Sequence, residues 1–193
     1  MPHSEGLPPE INSANMLGGP GPFSMAHASM KWMSLGKEMW DLKVSFDQML
    51  TCLTEEWSGE VAMQAINAAK PFQEWLEDLS DQIMNIARQT HYIMRAFRLA
   101  HNDVVDPELI NANRAQVLAL LQDNELGQNT AAIAQLEDEY ADYWDQDGDA
   151  MRTYRHDLSV ALTSLIPWQQ PPPIANNTGL VASMPRAADR FGL

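Results

Sequence analysis

The chain has 193 residues, enough for one domain with a sizeable core. Of its 10 Gly and 12 Pro, only Gly36, Gly59, Pro71, Pro107, Gly127 and Gly148 fall between residues 23 and 165; so few breakers predict long helices and exclude a sandwich or barrel, which needs a turn every 8–12 residues or so. Twelve Lys and Arg against 26 Asp and Glu leave a net charge of −14, which reads as a surface with no basic patch and argues against a nucleic-acid backbone or an anionic membrane as ligand.

The N-terminus, Met1-Pro2-His3-Ser4-Glu5, lacks the cationic and apolar regions of a Sec signal peptide. No apolar run reaches the roughly 18–20 residues of a membrane span, so the chain reads as made in the cytoplasm. The first predicted helix covers residues 9–17, with prolines at its start presetting φ. Gly18-Gly19-Pro20-Gly21-Pro22 then ends it in a chain reversal. A second helix is predicted over 23–54, with Ser24 as N-cap. Its apolar residues Met25, Ala28, Trp32, Leu35, Met39, Leu42, Phe46, Met49 and Leu53 alternate steps of three and four, the seam of helices packed at a shallow angle. A second stripe of Met33, Trp40 and Val44 widens that face.

Glu55 to Glu60 break the pattern, and a third helix is predicted over 61–100. Ala65, Ala69, Phe72, Leu76, Leu79, Ile83, Ile86, Thr90, Ile93, Phe97 and Ala100 repeat the seam, and Pro71 should kink or loosen one turn. Two long seams joined by a short turn predict an antiparallel hairpin. Asp106-Pro107-Glu108 starts a fourth helix, 107–122, through an N-cap, a Pro at the first position and an acid after it. Asn124 to Gly127 close that helix, with Gly127 in a left-handed C-terminal position. A fifth helix, 130–165, carries Ile133, Leu136, Tyr140, Tyr143, Met151, Tyr154, Leu158, Ala161 and Leu165 on one face. Residues 1–165 thus form one all-α domain, an elongated bundle of five helices. Pro167 and Pro171-Pro172-Pro173 introduce a Pro-rich, disordered tail over 166–193.

No catalytic residue, metal site or cofactor is expected. A di-iron bundle needs Glu-x-x-His pairs, yet Ser24, Arg88, Arg98 and Thr153 stand three before His27, His91, His101 and His156. Asp145-Gln146-Asp147-Gly148-Asp149 resembles a calcium loop, but placing Gly148 at loop position 6 puts Tyr143 and Tyr154 where carboxylates belong. The acidic run Glu137 to Asp149 therefore reads as a solvated helix face. Cys52, the single cysteine, reads as a small apolar filler beside Leu53. The sharper signal is the hairpin. A short fourth helix and a one-sided fifth leave much of its apolar surface over, and 12 Met suit adaptable contacts. A single intramolecular core and an obligate partner helix or hairpin both satisfy the pattern.

Leu7-Pro8-Pro9-Glu10-Ile11-Asn12-Ser13-Ala14, followed by the Gly/Pro run, resembles the start of the mycobacterial PPE family, named for its Pro-Pro-Glu. Trp57-Ser58-Gly59 is similar to the family's W-x-G turn. Leu126 to Ala134, then Glu139, Tyr140, Trp144, Met151 and Tyr154, resemble its second half. With no long Gly/Asn-rich extension, the chain looks like a short member exported with a PE partner by the fifth ESX type VII secretion system.

The resemblance implies a non-enzymatic subunit that forms an obligate heterodimer with a PE protein, itself a helical hairpin, completing a four-helix bundle. It places the PE interface on Trp32, Leu35, Met39, Leu42, Phe46 and Met49 of the second helix. On the third helix it falls on Phe72, Leu76, Leu79, Ile83, Ile86 and Ile93. Trp57 and Gly59 form an export motif beside a Y-x-x-x-D/E signal on the partner. An EspG-type chaperone grips the link between helices four and five, here Asn124, Glu125, Leu126, Gly127, Gln128 and Asn129. A hydrophobic pair is usual there; Leu126 fits and Glu125 departs from it. The folded pair is then exported, without a Sec signal, to the cell surface or beyond. The alternative is a cytosolic helical scaffold that self-associates through the same seams.

Overall fold

The computed structural model of the chain describes residues 6–173, the side chain of residue 61 apart, and among them every regular element is a helix. The helices are α1 (Pro9–Leu17), α2 (Phe23–Glu56), α3 (Glu60–Asp103), α4 (Pro107–Gln122) and α5 (Thr130–Thr163). The bounds of α1 and α4 are those the prolines and the Asp106 cap predict. Asp106 is extended at φ −63° and ψ 127°, and its carboxylate accepts from the Glu108 N–H at 2.8 Å. Ser24 is not a cap; it is the second residue of α2, and the Pro22 carbonyl accepts the Ala26 N–H. Glu55 and Glu56 are still helical, and the break falls at Trp57-Ser58-Gly59. At its far end α3 gains His101, a base favourable to the C-terminal dipole. Leu165 lies outside α5, which is capped at Ser164, whose N–H donates to the Val160 and Ala161 carbonyls; Pro167 then disfavours a helical Ile166. The helix runs through Pro71 without interruption, with Ala69 and Leu76 buried on either side of it.

The chain divides into two compact units, and α2 and α3 contribute to both. The first comprises residues 6–34 with Met84–Ile166, and Met16, Ala100, Val104 and Ala150 are buried at its core with Phe97, Met151 and Tyr154 packed against them. Pro8 caps α1 from an extended conformation, φ −64° and ψ 155°, which leaves Pro9 as the first helical residue. The Glu10 carboxylate accepts the Tyr140 hydroxyl from α5 at 3.0 Å. Asp147 corrects the reading of 137–149 as a wholly solvated face. It is fully buried, accepting the Ser13 hydroxyl of α1 at 2.7 Å and the Val105 N–H at 2.8 Å. Gly148 beside it is buried too.

The second unit comprises Leu35–Ile83 with residues 167–173. Here the Ser80 hydroxyl of α3 donates to the carbonyl of buried Gly36 in α2 at 3.1 Å, a contact made where no side chain intervenes. Leu50, Ala62, Ala69, Leu76 and Ile83 are buried between the two helices. The Phe46 and Phe72 rings meet edge to face at 5.2 Å, and Phe72 stacks on Trp75. The Trp75 indole donates to the Gln169 carbonyl at 3.0 Å, so the segment after Pro167 has no regular structure yet lies on α3. The rest of the tail, and the Met1 to Glu5 segment read for a signal peptide, lie outside the described residues. No described helix is long and apolar enough to cross a membrane.

Candidate partner-binding surfaces

The seam predicted on α2 and α3 separates into inner and outer residues. Leu76 and Ile83 are buried by the chain itself. Met39, Phe46, Phe72 and Leu79 in the second unit are half-buried, as are Trp32, Ile86 and Ile93 in the first. Leu35, Leu42 and Met49, seven residues apart, stay 36%, 49% and 49% exposed. Trp40, two positions before Leu42 and so about 200° away round the helix, is 44% exposed on the other flank of α2. The two flanks differ in chemistry. Beside Trp40 lies Lys43, 5.3 Å from its ring, bound to Asp47 at 2.8 Å and reaching Glu77 of α3 at 3.4 Å. The hydrogen bond to Asp47 leads in raising the Lys43 ammonium above its ordinary value. The Leu42 flank presents exposed Leu35, Leu42 and Met49 in a row, with the polar side chains of Glu38 and Ser45 at its margin.

The turn between α2 and α3 is set by Gly59, whose φ of 112° an L side chain rarely adopts. A Cβ there would meet nothing within 4 Å, so the requirement is one of backbone conformation alone. Trp57 donates its N–H to the Leu53 carbonyl at 2.9 Å and holds its ring 56% exposed. With Phe46, Met49, Leu50, Leu53 and Ala62 that ring lines an apolar cleft of about 170 Å3. Cys52, close by in sequence, is exposed rather than a core filler.

The α4–α5 link is tied together by its own polar groups. Asn129 takes its N–H to the Asn124 side chain at 2.8 Å and its amide to the Leu120 carbonyl at 3.1 Å. Gln128 bridges the Asp123 carbonyl and the Leu126 N–H. Gly127 is left-handed as expected, φ 77°. It sits in the turn Asn124 to Gly127 rather than on the end of α4, which closes at Asp123. These bonds leave Leu126 with no packing of its own, at 93% exposure, beside exposed Glu125 and Leu121.

Two features were missed in the sequence. Asp147 falls four after Tyr143 and four before Met151, on the apolar stripe of α5, a register that marks it as a core position whatever its charge. The expectation of no basic patch is also corrected. Arg88, His91, Arg95 and Arg98 share one exposed face of α3, at steps of three and four that overall net charge conceals.

The family model described as PPE family matches residues 5–166. PPE family protein PPE41 of Mycobacterium tuberculosis strain H37Rv is 50% identical over 93% of this chain and 93% of its own length. In the same strain, uncharacterized PPE family protein PPE19 is 36% identical over 91% of this chain, and PPE family protein PPE18 is 35% identical over 95%. The chain spans only 44% and 48% of those two. The names state family membership and no catalytic activity.

Proposed function

Because the chain belongs to the PPE family, we propose that it is a non-enzymatic subunit that pairs obligately with a PE-family helical hairpin and is exported with it through a type VII secretion system. The observation that carries the pairing is the outer seam, Leu35, Leu42 and Met49 at heptad spacing and open to solvent. A helix surface of that period and polarity is stable once a second helical pair packs against it. Phe46, Phe72 and Leu79, half-buried between the inner and outer rows, would become the centre of the resulting four-helix bundle.

The other two surfaces support the remainder of the reading. Trp57, held at the edge of an apolar cleft by the Gly59 turn, serves as the export motif together with a signal on the PE partner. The α4–α5 link, with Leu126 presented on a loop fixed by side-chain hydrogen bonds, serves as the contact for an EspG-type chaperone in the cytoplasm. A loop already ordered loses less conformational freedom on binding. Co-expression with the PE protein of the adjacent reading frame tests the reading. The chain is expected to aggregate alone and to elute as a one-to-one heterodimer with that partner. A clean, soluble homo-oligomer of the chain alone would overturn pairing and favour a self-associating scaffold.

A further inference from the structure

Residues 84–102 of α3 hold Arg88, Arg95 and Arg98 with His91 and His101 and contain no Asp or Glu, in a chain where acids outnumber bases 26 to 12. From Arg88 to His91, Arg95 and Arg98 the steps are three, four and three, so the four side chains form one stripe, and all are exposed. Arg114 and Arg152 are ion-paired with Glu137 and Asp149. Among the described residues Arg88, Arg95 and Arg98 have no such partner. The stripe borders an open groove of about 440 Å3 within the first unit, with Met33, Met84 and Ala87 on its apolar side. Tyr92 lines the same groove, its hydroxyl donating to Asp157 at 2.9 Å, and exposed Leu99 follows Arg95 by four positions. Arg88 and Arg95 follow Ile86 and Ile93 by two positions, about 200° round the helix, so the stripe faces away from that part of the seam.

We propose that this face docks an acidic amphipathic helix of a protein partner other than the seam's hairpin. Cations at three-and-four spacing match carboxylates of the same spacing on a facing helix, and the apolar side of the groove requires an apolar side chain between them. Charge complementarity of this kind selects a partner and orients it. A nucleic acid or lipid surface would meet the field of a chain at −14 and leave the Met33–Met84 side unfilled. A second copy offers exposed Asp138, Asp142, Asp145 and Asp149 in a matching register, but Ala134 and Ala141 beside them are too short to fill the groove. The proposal does not depend on the pairing of the seam.

The test replaces Leu99 with the photo-crosslinker benzoylphenylalanine in the full chain, in a mycobacterial host. The captured segment is identified by mass spectrometry and made as a synthetic peptide. The expected capture is a helical protein segment with Asp or Glu at three-and-four spacing beside apolar residues. Its peptide should bind the purified chain, with its co-expressed partner, more than tenfold less tightly after Arg88→Glu with Arg95→Glu, at unchanged melting temperature. Reversing the peptide's acids to Arg should restore binding to the double variant. Capture of a segment without acids, of nucleic acid, of lipid or of α5 from a second copy would overturn the proposal. So would equal capture by the double variant, or no capture at all.

Discussion

Asp147 joins three parts of the first unit through one carboxylate, from Ser13 on α1 to Val105 in the α3–α4 link. Burial pushes that carboxyl above its ordinary value of 3.8, while the Val105 and Ser13 hydrogen bonds pull it down without cancelling the shift. A folded value above the unfolded one means that the folded chain binds the proton more tightly. The stabilisation from this group is therefore fully present below 3.8, falls as pH rises through the raised folded value, and is constant above it. Asp147→Asn keeps an oxygen for the Val105 N–H and offers an N–H to the Ser13 oxygen, without a charge to bury. The melting temperature of this variant minus that of the wild type should therefore grow with pH across that window and then level off. A difference that shrinks as pH rises would contradict the assignment. Asp147→Ala leaves both donors without an acceptor and should cost about 1–3 kcal/mol, read by denaturant unfolding.

Helices were legible where their ends carry local chemistry. Prolines and an acid fix α4, and prolines fix α1, because caps act within one turn. The C-terminal ends of α2, α3 and α5 and the start of α3 differ by one to three residues from the expected ones, α2 and α3 running longer and α5 stopping shorter, since none of these ends carries a proline-and-acid cap. The acids of 137–149 are exposed as expected except Asp147; that one buried carboxylate and the cationic face of α3 show only when charge is placed around the helix rather than along the chain. The Pro-Pro-Glu motif was legible as a motif only. Its geometry, Pro8 capping α1 and Glu10 receiving the Tyr140 hydroxyl, depends on a partner 130 residues away. In the α4–α5 link, hydrogen bonds hold Leu126 out and leave Glu125 in water. Leu126→Asp is therefore expected to weaken chaperone binding more than tenfold, about 1.4 kcal/mol, and Glu125→Ala to leave it nearly unchanged or improve it, by calorimetric titration. Normal binding by Leu126→Asp would remove this link from the interface.

At the scale of the whole molecule, the proposed export requires that folding and recognition be separable. Trp57 lines its cleft from an exposed position, so Trp57→Ala should abolish secretion while the heterodimer stays soluble inside the cell. A buried structural Trp would instead cost about 3–5 kcal/mol and deplete the heterodimer from the cytosol; export at the wild-type level would remove Trp57 from the signal. Pairing itself is tested most directly on α2, where Leu42 and Trp40 are almost equally exposed on opposite flanks. Each is changed to Asp, and the PE partner copurifying with the chain is quantified. An unpaired carboxylate in an apolar interface costs several kcal/mol, so Leu42→Asp should reduce the copurified partner at least tenfold while Trp40→Asp retains it. Retention by Leu42→Asp together with loss by Trp40→Asp would contradict the account and place the partner on the other side of the hairpin.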